Sequence, residues 1–272
     1  MPDNKKDFSD SWAVILGGSS GFGFAAVEKL VMHGMNTAVL YRETAITEKP
    51  LKDKFLELSE TYKVIIAPFN INALEVLGRT SFIEEFKMIA KNHSVKLLLH
   101  SIARGNLKPL ISSDVDADKK QEILSAEDIQ LTTYAMSTSI LDWSRALLKA
   151  NFFMPDARII GLTSQGAHKY WEGYAAVSIA KASLESLTTY MAIELSKYGL
   201  KTNLIQAGIT ETPSLNKIPG SEKLIEIAKD RNPMGRITKP EDIANAIYLL
   251  CTDEAYWING SLIHVDGGEH CK

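Results

Sequence analysis

Ala13-Val14-Ile15-Leu16-Gly17-Gly18-Ser19-Ser20-Gly21-Phe22-Gly23, followed by Ala25, Ala26, Leu30 and Val31 at helical spacing, is the stretch that decides the fold. A short apolar run, a glycine-rich turn and a helix-period pattern read as strand, tight turn and helix. Gly17 can turn the chain sharply off the strand, Gly21 lets backbone N–H groups approach an anion such as a pyrophosphate, and Gly23 allows the helix to pack closely. Ser19, Ser20 and the helix amino terminus add donors around that anion, with Phe22 beside them. The plain alternative is a strand-to-helix turn with no ligand.

Outward from this stretch, strand-like runs alternate with helix-length segments: 36–41, 63–67, 96–100, 157–163, 201–207 and 261–265. Such alternation predicts an α/β fold, a Rossmann-like, doubly wound, seven-stranded parallel sheet with helices on both faces. Residues 1–272 are expected to form one dinucleotide-binding domain, with no repeat or linker. Two stretches look too polar or broken for regular structure: 104–126, and 208–222 with Pro213 and Pro219. Both leave strands at their carboxyl ends, where an open parallel sheet binds its ligands, so they are the expected walls of a substrate pocket. The second opens a substrate-binding loop spanning about 208–231.

A net charge of −3 and 45% hydrophobic residues fit a sizeable core and argue against a nucleic-acid partner. The two cysteines, Cys251 and Cys271, form no disulfide framework and show no metal-ligand spacing, so no metal is expected and a reducing compartment is. Residues 1–12 lack a signal-peptide core and no apolar run reaches membrane-spanning length. The expectation is a cytoplasmic protein without a membrane partner.

Tyr174 and Lys181 supply the chemistry. Seven residues of helix set two side chains on one face, about 10 Å apart along the axis. A phenol donates to an oxygen gaining negative charge, and a nearby ammonium stabilises that charge while gripping a ribose hydroxyl. By themselves the two residues are equally an aromatic and a lysine sharing a helix.

The glycine turn, His100-Ser101-Ile102-Ala103, Tyr174-x6-Lys181, the run from Asn203 to Thr212 and the ending His264-Val265-Asp266-Gly267-Gly268 together resemble the short-chain dehydrogenase/reductase superfamily. Within it the chain is similar to the enoyl-acyl-carrier-protein reductases, because most other members place the lysine four residues after the tyrosine, where this chain has Ser178. Leu16 and Ile209 depart from the family's usual threonine and proline. Ser164 stands where many enoyl reductases carry a second tyrosine and carbonyl-reducing members a catalytic serine, so the site is a hybrid.

The resemblance implies NADPH-dependent reduction of the trans-2 double bond of an enoyl thioester in fatty acid synthesis, with Tyr174, Lys181 and Ser164 catalytic. It implies cofactor contacts from Gly17, Ser19, Ser20, Gly21, Phe22, Gly23, Arg42, Asn70, Ile71, Ser101, Ile102, Ala103, Lys181, Ala207, Gly208, Ile209 and Thr212. It also implies an acyl-carrier-protein or coenzyme A thioester as substrate, and a homotetramer formed through helices near 126–150 and 174–198, with Leu141, Trp143 and Leu187 on their outer faces. Arg42, at the end of the second strand, pairs with a 2′-phosphate and so favours NADPH over NADH, unless it is only a solvated charge beside Glu43. Asn70 touches adenine or merely makes a turn. His100, ending a buried strand, reads as structural. For substrate binding, Arg104 reaches a phosphate or stays a loop charge, and Tyr170 lines the acyl pocket or packs. Lys217, Lys223 and Lys229 meet an acidic carrier or are simply solvated. Two other functions compete: reduction of a carbonyl such as a 3-oxoacyl thioester, for which Ser164 speaks, and cofactor-binding regulation without turnover.

Overall fold

The computed structural model describes residues 8–111, 123–218 and 220–272. Seven parallel strands, β1 (Trp12–Leu16), β2 (Asn36–Tyr41), β3 (Ile66–Asn70), β4 (Val95–His100), β5 (Phe153–Ser164), β6 (Lys201–Ala207) and β7 (Leu262–Val265), form one sheet in the order β3-β2-β1-β4-β5-β6-β7. The helices are α1 (Gly21–Met32), α2 (Ala45–Tyr62), α3 (Val76–Phe86), α4 (Ala126–Thr133), α5 (Ser139–Lys149), α6 (Ala175–Glu194), α7 (Ser221–Arg231) and α8 (Pro240–Cys251). One apolar cluster packs α1 and α8 against one sheet face, and a second packs α3, α5 and α6 against the other. β1 and β4 are buried along their whole lengths, as strands covered on both faces must be.

The winding reverses between β1 and β4, and the pairings Leu16 with Leu40 and His100, and Ser164 with Ala207, bring the carboxyl ends of the central strands level. A crevice at that edge is what a doubly wound sheet produces. α4 and α5 are one helix interrupted by a π-turn over Tyr134–Thr138; such bulges redirect side chains locally. Among the described residues, no helix is long and apolar enough to cross a membrane.

Two sequence expectations are corrected. The third strand begins at Ile66, not residue 63, because α2 continues to Tyr62 and ends with Lys63 in the left-handed region (φ 54°). There the Val64 N–H bonds back to the Ser59 carbonyl at 3.3 Å, so the apolar look of 64 and 65 belongs partly to a helix cap. Trp143 is not on an outer face: it is wholly buried against Phe82, and its indole N–H donates to the Ala73 carbonyl at 2.8 Å. Leu141 and Leu187 are half-buried against the same cluster. Leu131 on α4 and Ile179, Tyr190 and Ile193 on α6 are the large apolar side chains these helices expose.

Candidate active site

A cleft of about 730 Å3 runs across the carboxyl edge of the sheet, past the ends of β1, β2, β4, β5 and β6. At its floor Gly17 takes φ 86°, and a side chain on it would meet the Ser101 backbone carbonyl at 2.6 Å. A side chain at Gly23 would in turn strike the Gly17 carbonyl, so the turn can pack under α1 only as glycine. Ser20, the N-cap of α1, makes no capping side-chain bond, which leaves amino-terminal N–H groups of the helix for an anion. Gly17, Ser19, Ser20, Gly21 and Phe22 line the cleft, as do Arg42, Ile71, Ser101, Ile102, Ala103, Arg104, Ala207, Gly208, Ile209 and Thr212. A half-buried glycine cradle, an uncapped helix terminus and an exposed arginine at the far strand end fit a dinucleotide.

Two expected cofactor contacts fall elsewhere. Gly23 acts through packing, as above. Asn70 does not line the cleft; its amide accepts from the Glu43 N–H at 3.0 Å and donates to the Glu43 carbonyl at 2.9 Å, bracing the end of β2 in the turn role.

Tyr174, Lys181 and Ser164 converge in the cleft. Tyr174 is the N-cap of α6 (φ −94°, ψ 4°), one residue outside the helix that carries Lys181. A side chain at Gly166 would collide with the Tyr174 ring, so that glycine sets how closely the phenol sits against β5. Burial raises the phenol's pKa, and the Ser164 hydroxyl nearby opposes that shift. Among the described residues no group meets hydrogen-bonding geometry with the buried Ser164 Oγ, so both hydroxyls have capacity for a ligand oxygen. Lys181 is 8% exposed, and its Nζ donates to the Leu162 carbonyl at 2.7 Å. Burial pushes its pKa down to about 8, partly offset by Glu185 one turn on. Glu185 is fixed by Thr163 and His168, each at 2.8 Å.

His100 is buried, with Nε2 2.8 Å from Ser139 Oγ. Burial pushes it down to about 3, with the Lys181 charge adding to that, so the ring is neutral near pH 7. Tyr170 lines the cleft mouth while 89% exposed. Lys217 also lines it; Lys223 and Lys229 lie on the exposed side of α7. Pro213 belongs to the wall, and Pro219 lies outside the described residues. The segment is less irregular than its sequence suggests, since Leu215–Lys217 makes a 3-10 turn before α7.

The sequence reading missed Gln165, Arg231 and Glu269. Glu269 is buried and accepts from the Ile209 N–H at 3.1 Å, and Arg231 donates to the Glu269 carbonyl at 3.1 Å. Burial raises the Glu269 carboxyl, and the Ile209 N–H opposes it. All three line the cleft from segments far apart in sequence, and no local pattern marks them.

Sheet order, glycine turn and the Tyr174–Lys181 pair define a member of the short-chain dehydrogenase/reductase superfamily. Within it, the chain belongs to the enoyl-(acyl carrier protein) reductase family, whose sequence profile matches residues 17–270. It is 29% identical over 177 residues to the enoyl-acyl-carrier-protein reductase (NADH) FabI of Aquifex aeolicus, covering 65% of this chain and 63% of that one. The chain thus spans under two thirds of that relative's length. It is 28% identical over 270 residues to a probable 2,4-dienoyl-CoA reductase of Bacillus subtilis, covering 94% and 95% of the two chains. The crystal structure of the Bacillus cereus enoyl-acyl carrier protein reductase with NADP+ and indole naphthyridinone superposes with a TM-score of 0.82 at 22% identity, over 98% of this chain and 99% of that one.

Proposed function

We propose that the chain reduces the 2,3 double bond of an enoyl thioester, using NADPH. The observation that carries this reading is the convergence of Tyr174, Lys181 and the buried Ser164 hydroxyl in a cleft whose other end is a glycine cradle. When bound, the reduced nicotinamide supplies a hydride to the β-carbon. Tyr174 hydrogen-bonds the thioester oxygen as it becomes an enolate, and Ser164 stands as a second donor. Lys181 holds ribose hydroxyls and supplies positive field, so the pair acts mainly on charge present in the transition state. A proton added at the α-carbon completes the saturated acyl thioester. The family and the names of the relatives above support the enoyl reading.

NADPH is favoured by Arg42, which is exposed at the cleft beside the end of β2. The substrate is an acyl-carrier-protein or coenzyme A thioester, and residues 208–231 form its binding loop within a single 1–272 domain that assembles as a homotetramer. Ser164 favours a second reading, reduction of a 3-oxoacyl thioester. Cofactor oxidation with crotonyl-CoA, a 2,4-dienoyl-CoA and a 3-oxoacyl-CoA tests the choice: turnover of the first is expected, and turnover of the third alone would overturn the proposal.

A further inference from the structure

The turn after β7 gathers ligating side chains outside the cleft. His264 lies on β7, Asp266 just beyond it, and His270 and Cys271 in the short 3-10 turn Glu269–Cys271. His270 Nδ1 is 2.7 Å from Asp266 Oδ2. Asp266 is 2% exposed and also accepts the backbone N–H groups of His270 at 3.1 Å and Gly268 at 3.0 Å. A carboxylate oxygen beside Nδ1 favours the tautomer with its proton there, and in that neutral tautomer Nε2 offers its lone pair. That nitrogen lies 3.4 Å from Cys271 Sγ. The His264 ring stacks on His270 with centroids 3.9 Å apart, and ligating atoms of His264, Asp266 and His270 all lie within 4.8 Å of one another.

We infer that His264 and His270 bind a zinc-type divalent cation, with Cys271 Sγ, which lies 3.4 Å from His270 Nε2, swinging in as the third ligand and Asp266 orienting His270 from behind. Zn–S and Zn–N bonds of about 2.3 and 2.0–2.1 Å, joined at a tetrahedral angle, separate nitrogen from sulfur by about 3.5 Å, close to the spacing found here. A carboxylate on the far ring nitrogen is the usual support for a metal-bound imidazole. Thiolate and imidazole donors select zinc over magnesium or calcium. Parallel rings cannot aim in-plane lone pairs at one point, so His264 must rotate to ligate; as an exposed side chain it is free to do so. Glu269 is not a ligand, because its carboxylate turns the other way to the Ile209 N–H. Cysteine spacing alone hides this site, since only one ligand is a cysteine.

Titration of the tag-free full chain with Co2+, the spectroscopic stand-in for zinc, tests this. One equivalent should give a thiolate-to-cobalt charge-transfer band that Zn2+ displaces. Cys271→Ser should abolish the band, whereas Cys251→Ala, at a thiol buried in the core, should keep it. His270→Ala and His264→Ala should each weaken Zn2+ binding at least about tenfold, with circular dichroism reporting an unchanged fold. No charge-transfer band, a band that survives Cys271→Ser, or unchanged affinity in both histidine variants would overturn the site.

Discussion

Lys181 Nζ donates to the backbone carbonyl of Leu162 at 2.7 Å, which ties the α6 ammonium to β5 two residues before Ser164. The lysine is therefore held in the cleft by the fold, and burial lowers its pKa to about 8. Cofactor affinity, favoured by the charged form, should fall as pH rises through about 8. Lys181→Met should weaken NADPH binding, measured by fluorescence titration, and flatten that pH limb. Stability runs the other way: the folded-state pKa lies below the unfolded value of about 10.4, so the cost of burying the charge is full below about 8 and is relieved as pH rises toward 10.4.

Tyr174→Phe should lower kcat by about 100-fold or more, the usual loss for one oxyanion donor, with KM for the cofactor nearly unchanged. Because burial raises the phenol's pKa, no loss of activity from its ionisation should appear below about pH 10. Gly166→Ala should mimic part of this defect, since the added methyl would push the Tyr174 ring away from Ser164. Steady-state kinetics of both variants at saturating cofactor checks the pair.

Arg42→Ala should raise KM for NADPH by roughly 10- to 150-fold while leaving KM for NADH nearly unchanged, the span expected for about 1.5–3 kcal/mol of charge-assisted hydrogen bonding to a 2′-phosphate. Equal weakening of both cofactors would reduce Arg42 to a surface charge.

At the opposite edge of the sheet, Asp156 accepts from Lys96 at 2.9 Å and also pairs with Arg158 and Lys201. Burial alone would raise its carboxyl, but the hydrogen bonds from Arg158, Lys201 and Lys96 outweigh it and hold the pKa well below the usual range. The resulting stability is present above the unfolded value of about 3.9 and is lost as pH falls toward the folded one. Asp156→Asn should cost about 3–5 kcal/mol, because Arg158 and Lys96 would stay buried without the carboxylate. Urea unfolding near neutral pH and at about pH 2.5, inside the window where the contribution is lost, measures both effects.

Sheet, crevice and the meeting of Tyr174 with Lys181 in one cleft were legible because each rests on local signals: strand-length apolar runs, glycines where the chain turns, and a fixed Tyr174–Lys181 spacing. What escaped depends on long-range packing. Nothing local distinguishes a cap at Lys63 from a strand start. Trp143 reads as an apolar residue on either helix face until Phe82 and Ala73 are seen to enclose it. Glu269 and Arg231 reach the cleft only because the C-terminal turn folds against α7. Tyr174 was found by its spacing, although it sits just before the helix that spacing assumed.

The most direct test of the account follows the hydride itself. With NADPH deuterated at C4 and a trans-2-enoyl thioester, mass spectrometry and NMR of the product should place one deuterium on the β-carbon of a saturated acyl thioester, at a rate reduced about 100-fold or more in Tyr174→Phe. Failure to form saturated product, together with deuterium appearing on the carbinol carbon of a 3-hydroxyacyl thioester when a 3-oxoacyl substrate is offered, would contradict it.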